Sequence, residues 1–258
     1  MTSYRYPGEQ AILMLTVVLV LGVLALTALP TLCLVPLAAL VFVAITYQSS
    51  RSHHRQLLSQ GTLVSEERTP RLAALALECV RRLRPGAVQF FVLPSNQLNA
   101  YTFGLSQPNV VVIFSPMLEV MDEDELRFII GHELGHVALG HSWLNTLLGG
   151  MAGVPTTFAG AIILTLAFRW WNRACEFSCD RAGLVACGNI NKAVSALAQL
   201  AVGDINTQAE LQRALHFIDK QNDSFTNVLA ETLSTHPMVV KRIKELQKFA
   251  TSPQYQKL

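Results

Sequence analysis

The sequence has few charged residues. Only 15% of its 258 residues are Asp, Glu, Lys or Arg, whereas about a quarter is usual for a soluble domain. The formal net charge is +2 and no basic stripe of domain length occurs, so nothing here indicates a nucleic-acid partner. The apolar excess is concentrated at the N-terminus and in one internal segment. This distribution is typical of a membrane protein with a soluble part.

Closely spaced cysteine pairs are also absent. The sequence has an odd number of cysteines and no C-x-x-C pair; the five are Cys33, Cys79, Cys175, Cys179 and Cys187. We therefore expect no disulfide framework, and we place the soluble part in a reducing compartment.

Charge is completely missing between Ala11 and Tyr47. About twenty helical residues cross the hydrocarbon core of a bilayer, so this run predicts two spanning helices separated by Pro30. The alternatives are a single tilted span and a cleaved signal peptide. The run is longer than a signal-peptide core, and no clear A-x-A cleavage site precedes its second half. We expect a transmembrane helical hairpin within a membrane anchor of residues 1–50.

The few basic residues beside this run predict its orientation. Arg5 precedes the run, and Arg51 and Arg55 follow it. By the positive-inside rule, both ends of the hairpin then lie in the cytoplasm. We therefore expect an integral protein of the cell (inner) membrane whose second domain, residues 51–258, is cytoplasmic.

The second domain has an α+β pattern in which helices dominate. An amphipathic helix ends at Pro85, and three short runs rich in branched and aromatic residues predict strands. Ser115 and Pro116 predict a helix start, and Asp122 with Glu125 has the spacing of a capping box. The predicted strands are residues 87–93, 99–104 and 109–114; the later predicted helices are residues 191–202, 207–219 and 237–250.

The segment FIIGHELGHVALGH, residues 128–141, contains a candidate metal motif on the helix that starts near Asp122. His132 and His136 are four residues apart and so share one helix face. Glu133 follows the first histidine, where a general base for an attacking water belongs in an HExxH site. Zinc suits such ligands, lowers the pKa of water and polarises a carbonyl. The alternative is a buried amphipathic helix with stray histidines.

A third protein ligand is needed, and His141 is out of register for it. The metzincin pattern requires glycine and histidine three and six residues after the second ligand, where this chain has Leu139 and Ser142. We expect His141 either to support the site or to lie at the surface.

Glu176 is the better candidate for the third ligand. Asp180 follows it one helical turn later, placed to accept a hydrogen bond from a ligating histidine. Taken alone, the two acids also fit a surface pair beside Arg173 and Arg181. We interpret the cysteines on either side as packing residues because they lie off the face of Glu176.

These motifs together resemble the membrane-associated zinc metallopeptidases that include the bacterial heat-shock protease HtpX and the eukaryotic CAAX prenyl endopeptidases. The resemblance rests on HELGH, EFSCDRAG, NAYTFG and STHPMVVKRI, and on the N-terminal hairpin. It covers roughly residues 57–246. It implies a gluzincin-like peptidase domain, mainly helical with a small β-sheet, that binds one zinc ion per chain.

The resemblance also implies roles for particular residues. It makes His132, His136 and Glu176 the zinc ligands, and Glu133 the base and later proton donor. It makes Asp180 the residue that orients a ligand histidine.

The resemblance assigns further residues to the surroundings of the metal. His236 and Arg242 would lie near the active site and support the ion cluster or the oxyanion. Equally, His236 before a proline is typical of a helix cap, and Arg242 can simply pair with Asp180. The predicted strand containing Asn99, Ala100 and Tyr101 would bind an extended substrate by strand addition.

One apolar segment departs from the family pattern. HtpX-type relatives have two membrane spans between the metal helix and the ligand glutamate, but residues 143–171 are short for two. A single crossing would separate His136 from Glu176, so we expect a hairpin that turns back within GGMAGVP, residues 149–155. Tryptophans at its two ends would lie near the membrane interface; these are Trp143, Trp170 and Trp171.

The sequence therefore predicts a membrane-bound zinc endopeptidase that hydrolyses peptide bonds of membrane or misfolded proteins in protein quality control. Its expected partners are protein or peptide substrates and the lipid membrane, with no nucleic acid. One alternative is a catalytically silent membrane scaffold or chaperone of the same fold. The other is a CAAX prenyl-protein endopeptidase, for which the chain has few apolar segments.

Overall fold

The computed structural model describes residues 4–104, 107–144, 159–203 and 237–258. The described helices are α1 (Glu9–Ala28), α2 (Leu34–Gln60), α3 (Pro70–Leu83), α4 (Ser115–Val120), α5 (Glu123–Ala138), α6 (Ala159–Cys187), α7 (Ile190–Gly203) and α8 (Pro237–Ala250). The described strands are β1 (Thr62–Leu63), β2 (Val88–Leu93), β3 (Ala100–Phe103) and β4 (Asn109–Phe114). A short 3-10 helix, Tyr255–Lys257, follows α8. The predicted helical domain with a small sheet is confirmed.

The sheet is mixed and has the strand order β1-β2-β4-β3. β2 runs parallel to β4, whereas β1 and β3 are antiparallel to their neighbours. The three predicted strands are confirmed to within one residue at each end. The two-residue strand β1 was not predicted, because it is too short to show an alternating pattern.

Helix α5 starts where the capping pattern indicates. The Asp122 side chain accepts hydrogen bonds from the backbone of Asp124 and Glu125, and the Glu125 side chain accepts one from the Asp122 backbone. This confirms the predicted capping box. Helix α4 begins one residue earlier than expected: Phe114 is the N-cap and Ser115 is already helical.

Helix α5 is the central element of the domain, because α3, α6, α7 and β3 all pack against it. Its contact with α6 is close, since glycines replace side chains where the two backbones meet. A Cβ atom added to Gly135 would lie 3.1 Å from the Cα of Cys179, and one added to Gly131 would lie 2.4 Å from the Cβ of Ala186. Gly183 on α6 makes the matching contact with the carbonyl of Phe128. Gly135, inside the HExxH motif, thus lets the backbone of α6 approach α5 closely.

Substitution of Gly131 by alanine should therefore force α5 away from α6. We expect Gly131→Ala to lower the free energy of unfolding by about 1–3 kcal/mol, as overpacking of a tight core does. Gly22→Ala is the matched control, because a Cβ at Gly22 would have no neighbour within 4 Å. Thermal unfolding of both variants measures the difference. Equal unfolding temperatures would show that the contact between the two helices relaxes easily.

Among the described residues, one helix is long and apolar enough to cross a membrane, namely α1. A turn in which Leu32 and Cys33 adopt left-handed backbone separates α1 from α2. The apolar stretch of α2, Pro36–Ser49, is shorter than a full span, and the helix then continues to Gln60. Helix α1 packs along α6 as well as along α2.

The apolar segment predicted to form a hairpin is only partly described. Its second half is the beginning of α6, in one continuous helix with Glu176. Trp143 and Trp170 are about half exposed, but Trp171 is only 2% exposed, so its predicted place at a membrane interface is wrong. Its indole packs edge-on against His141. The predicted turn at residues 149–155 and the predicted helix at residues 207–219 lie outside the described residues.

Candidate metal centre

Two packed helices bring three metal-binding side chains together. The Nε2 atoms of His132 and His136 on α5 each lie 3.6 Å from a carboxylate oxygen of Glu176 on α6. One ligand atom from each residue lies within 4.8 Å of the others. Both histidines are buried, whereas the Glu176 side chain is 24% exposed. The group therefore faces solvent on one side only.

The orientation of His132 is set by a hydrogen bond at its other ring nitrogen. Its Nδ1 lies 3.0 Å from Oδ1 of Asp180, which leaves Nε2 free to face Glu176. Asp180 is 1% exposed and also accepts two hydrogen bonds from Arg242, at 2.8 and 2.6 Å. Burial alone would raise the pKa of Asp180, but Arg242 and His132 lower it to about 2. Asp180 therefore stays ionised beside the histidine.

Arg242 forms ion pairs with two acidic residues of α6, Asp180 and Glu176. Besides its bonds to Asp180, its Nη1 is 3.1 Å from Oε2 of Glu176. This geometry agrees with the ion-pairing alternative for Arg242, and it places the guanidinium against a candidate ligand. The other residue predicted from the same C-terminal motif, His236, lies outside the described residues.

The donor set fits a zinc ion. Two imidazoles and one carboxylate are the protein ligands of the His2Glu class of catalytic zinc sites, in which one position stays open. The hydrogen bond from His132 to a carboxylate is also typical of zinc-binding histidines. Both Nε2 atoms face Glu176, so the three residues could hold one ion between them.

Glu133 lies on the same turn of α5 and has a partner that the sequence patterns did not reveal. Oγ1 of Thr102 on β3 donates to Oε2 of Glu133 at 2.6 Å and lies 3.0 Å from its backbone carbonyl. Glu133 is buried, and burial raises the pKa of its carboxyl group. Thr102 lies within NAYTFG, but that motif does not indicate the bond, because the relation of Thr102 to Glu133 depends on how the sheet packs against α5.

The predicted substrate strand, β3, is one of the two outer strands of the described sheet. Ala100 and Tyr101 pair with Ile113 and Val112 of β4, and the carbonyl of Asn99 accepts from the backbone of Phe114. One side of the β3 backbone is therefore used for the sheet. β3 lies against α5, the helix that carries the histidines.

His141 is buried, with 2% of its surface exposed, so the surface alternative for this residue is wrong. Its Nε2 lies 3.0 Å from Oε1 of Glu9, and its Nδ1 lies 3.6 Å from the sulfur of Cys179. Cys175 and Cys179 are both fully buried, as expected of packing residues. Glu9 was not singled out from the sequence, because it lies 132 residues before its partner.

Comparison with known proteins agrees with this geometry. Residues 66–250 match peptidase family M48. The chain is 31% identical over 219 residues to the plastoglobule-localized metallopeptidase 48 of Arabidopsis thaliana, with 78% of this chain and 63% of that protein covered. The chain thus spans somewhat less than two thirds of the length of the plant protein.

Bacterial proteases are also similar. The chain is 26% identical to an HtpX protease homologue of Kineococcus radiotolerans and 26% identical to protease HtpX of Acinetobacter baylyi. In both comparisons 72% of this chain and 76% of the other protein are covered. The family match extends over most of the chain and includes the HExxH helix, Glu176 and Arg242. The chain therefore belongs to peptidase family M48 and is an HtpX-like metallopeptidase, which confirms the predicted class of enzyme.

Proposed function

We propose that the protein is a zinc-dependent endopeptidase in which His132, His136 and Glu176 hold one zinc ion and Glu133 is the general base. The observation that carries the proposal is the meeting of three ligand atoms within 4.8 Å, on two helices whose backbones touch. A zinc ion held there would lower the pKa of a water molecule and polarise the scissile carbonyl.

Protein side chains would carry out the proton transfer and hold the ligands in position. Glu133 takes a proton from the attacking water and returns it to the leaving amine, and the Thr102 hydroxyl keeps its carboxylate in place. Asp180 holds His132 in the tautomer that presents Nε2, and Arg242 keeps Asp180 ionised. In this scheme Arg242 acts on the ligand set and does not touch the substrate.

Substrate binding is proposed at β3, through Asn99, Ala100 and Tyr101. An extended peptide that adds to this outer strand contributes mainly backbone hydrogen bonds, and so requires few particular side chains. Such binding accepts the middle of a chain as well as an end, which favours endopeptidase activity. It suits unfolded or misfolded segments and the loops of membrane proteins.

Anchoring in a membrane is proposed from the apolar helix α1, several of whose leucine and valine side chains are exposed, among them Val18, Leu21 and Leu26. We propose a helical hairpin of α1 and the apolar part of α2, an anchor of residues 1–50 and a peptidase domain of residues 51–258. Helix α2 runs through this boundary to Gln60. The basic residues around the hairpin support a cytoplasmic peptidase domain in the cell membrane.

The zinc proposal is tested by metal analysis of the full chain, purified in detergent from carbonate-washed membranes. We expect one zinc per chain, and a chelator should remove both the zinc and the cleavage of an unfolded casein substrate. Glu176→Gln should weaken zinc binding more than about 100-fold, since even outer partners of ligands contribute about 10–100-fold. Glu67→Gln, at an exposed site, is the control. Bound zinc without cleavage of any substrate would instead support a silent scaffold.

A further inference from the structure

Glu9 is the first residue of the apolar helix α1, yet its carboxylate is buried against the peptidase domain and is 1% exposed. Oε1 of Glu9 lies 3.0 Å from Nε2 of His141 and also accepts from Arg5, while its other oxygen accepts from the hydroxyl of Ser178. Buried polar groups are normally hydrogen-bonded, and the Glu9 carboxylate satisfies this requirement for its three partners. The N-terminus of the proposed anchor is therefore tied to α6 and to the segment after α5.

The residues just before α1 extend this contact. We call these residues together with Glu9, residues 4–9, the N-terminal strap. Arg5 donates to the carbonyl of Leu139 at 3.1 Å, where α5 ends. The backbone N–H of Tyr6 donates to the Ser178 hydroxyl at 2.8 Å. The strap thus contacts both helices that supply candidate zinc ligands. It contacts each of them close to those ligands.

His141 links the strap to the candidate zinc site, because it contacts both Glu9 and His136. Its ring is buried and packs edge-on against the ring of His136, with centroids 5.5 Å apart and an interplanar angle of 72°. Trp171 also packs edge-on against His141, at a centroid distance of 5.9 Å. Since Glu9 holds Nε2 of His141, the His141 ring cannot turn without losing that bond.

The two candidate histidine ligands are supported in different ways. His132 has a hydrogen bond from Nδ1 to Asp180. Nδ1 of His136 is buried and has no hydrogen-bond partner within the described parts of the chain. A zinc-bound histidine is normally oriented by a bond at its second nitrogen, so His136 depends on the side chains packed around its ring.

On the basis of the proposed function, we infer that Glu9 is a positioning residue for catalysis. It fixes His141, and His141 keeps the ring of His136 directed at the zinc. The proposed membrane anchor therefore has a second role, because the first residue of its helix α1 helps to form the metal site.

The experiment compares Glu9→Gln with wild type in the detergent-purified full chain. Glutamine keeps the size of the side chain and removes its charge, and Arg5, whose side chain is 25% exposed, can turn towards solvent. We expect about tenfold weaker zinc binding, the lower end of the loss for an outer partner of a ligand. We also expect kcat to fall while KM stays constant. Gln10→Ala, at the next and exposed residue, is the control.

Two further variants separate positioning from folding. Ser178→Ala removes one hydrogen bond to Glu9 but leaves the charge of the Glu9 carboxylate in place. It should therefore weaken zinc binding as Glu9→Gln does, but by a smaller factor. His141→Asn should weaken zinc binding like Glu9→Gln, and the double variant should be little worse than either single variant, because both act through one contact.

The inference fails if Glu9→Gln lowers only the unfolding temperature, with zinc affinity and kcat within twofold of wild type. It also fails if Glu9→Gln does not fold and Ser178→Ala binds zinc like wild type. A wild-type chain without zinc or peptidase activity would be a different result, since it would refute the proposed function itself.

Discussion

Replacement of Glu133 by glutamine is expected to lower kcat/KM by about 10²–10⁴-fold, the usual contribution of a general base. Glutamine cannot take up the proton of the attacking water. The side chain is not among the proposed ligands, so one zinc per chain should remain. Thr102 donates to an oxygen of Glu133 that glutamine also has, so the variant should fold like wild type.

The measurement is cleavage of a fluorogenic unfolded substrate, together with metal analysis of the same sample. Glu119→Gln is the matched control, because Glu119 is exposed on the short helix α4. Loss of both zinc and activity would show that Glu133 is a zinc ligand and would contradict its role as the general base. Activity within a few fold of wild type would exclude Glu133 as the base.

The second large effect is expected from Arg242→Met, which should lower the free energy of unfolding by about 3–5 kcal/mol. Arg242 donates two hydrogen bonds to Asp180, and the Asp180 carboxylate is 1% exposed. Without the guanidinium, His132 is the one partner that this carboxylate keeps among the described residues, in a site with little water. An unpaired buried charge is much more costly than the loss of a surface pair.

Chemical denaturation of the detergent-solubilised chain tests this expectation, with Lys244→Met as control at an exposed position of the same helix. The double variant Asp180→Asn, Arg242→Met should recover part of the stability, because it removes both charges. Its zinc affinity should remain low, since asparagine holds His132 less firmly. Equal stability of Arg242→Met and the control would show that water reaches Asp180 in the folded protein.

The local parts of this fold were predictable from the sequence. The capping box at Asp122, the strand Asn109–Phe114 and the histidine pair on α5 all depend on residues within one or two turns or along one strand. Such patterns follow from helix and strand geometry alone. Glu176 required more: its spacing to Asp180 indicated a shared face, and the family resemblance indicated its role.

The contacts that depend on tertiary packing were not predictable. Thr102 meets Glu133 because β3 lies against α5, and Glu9 meets His141 because α1 packs beside α6. Neither pair has a characteristic spacing in the sequence. Trp171 was assigned to a membrane interface because tryptophan suits both an interface and a domain core, and its neighbours along the chain do not distinguish the two.

In the proposed function strand β3 would have two tasks, with a consequence for where a substrate is cut. The strand that would take up the peptide is the strand whose Thr102 hydroxyl holds the base. A peptide bound there can slide only in steps of two residues if the same side chains are to keep facing the domain. Cleavage points within one bound stretch should then be separated by even numbers of residues, so that β3 would set the spacing of the cuts as well as bind the peptide.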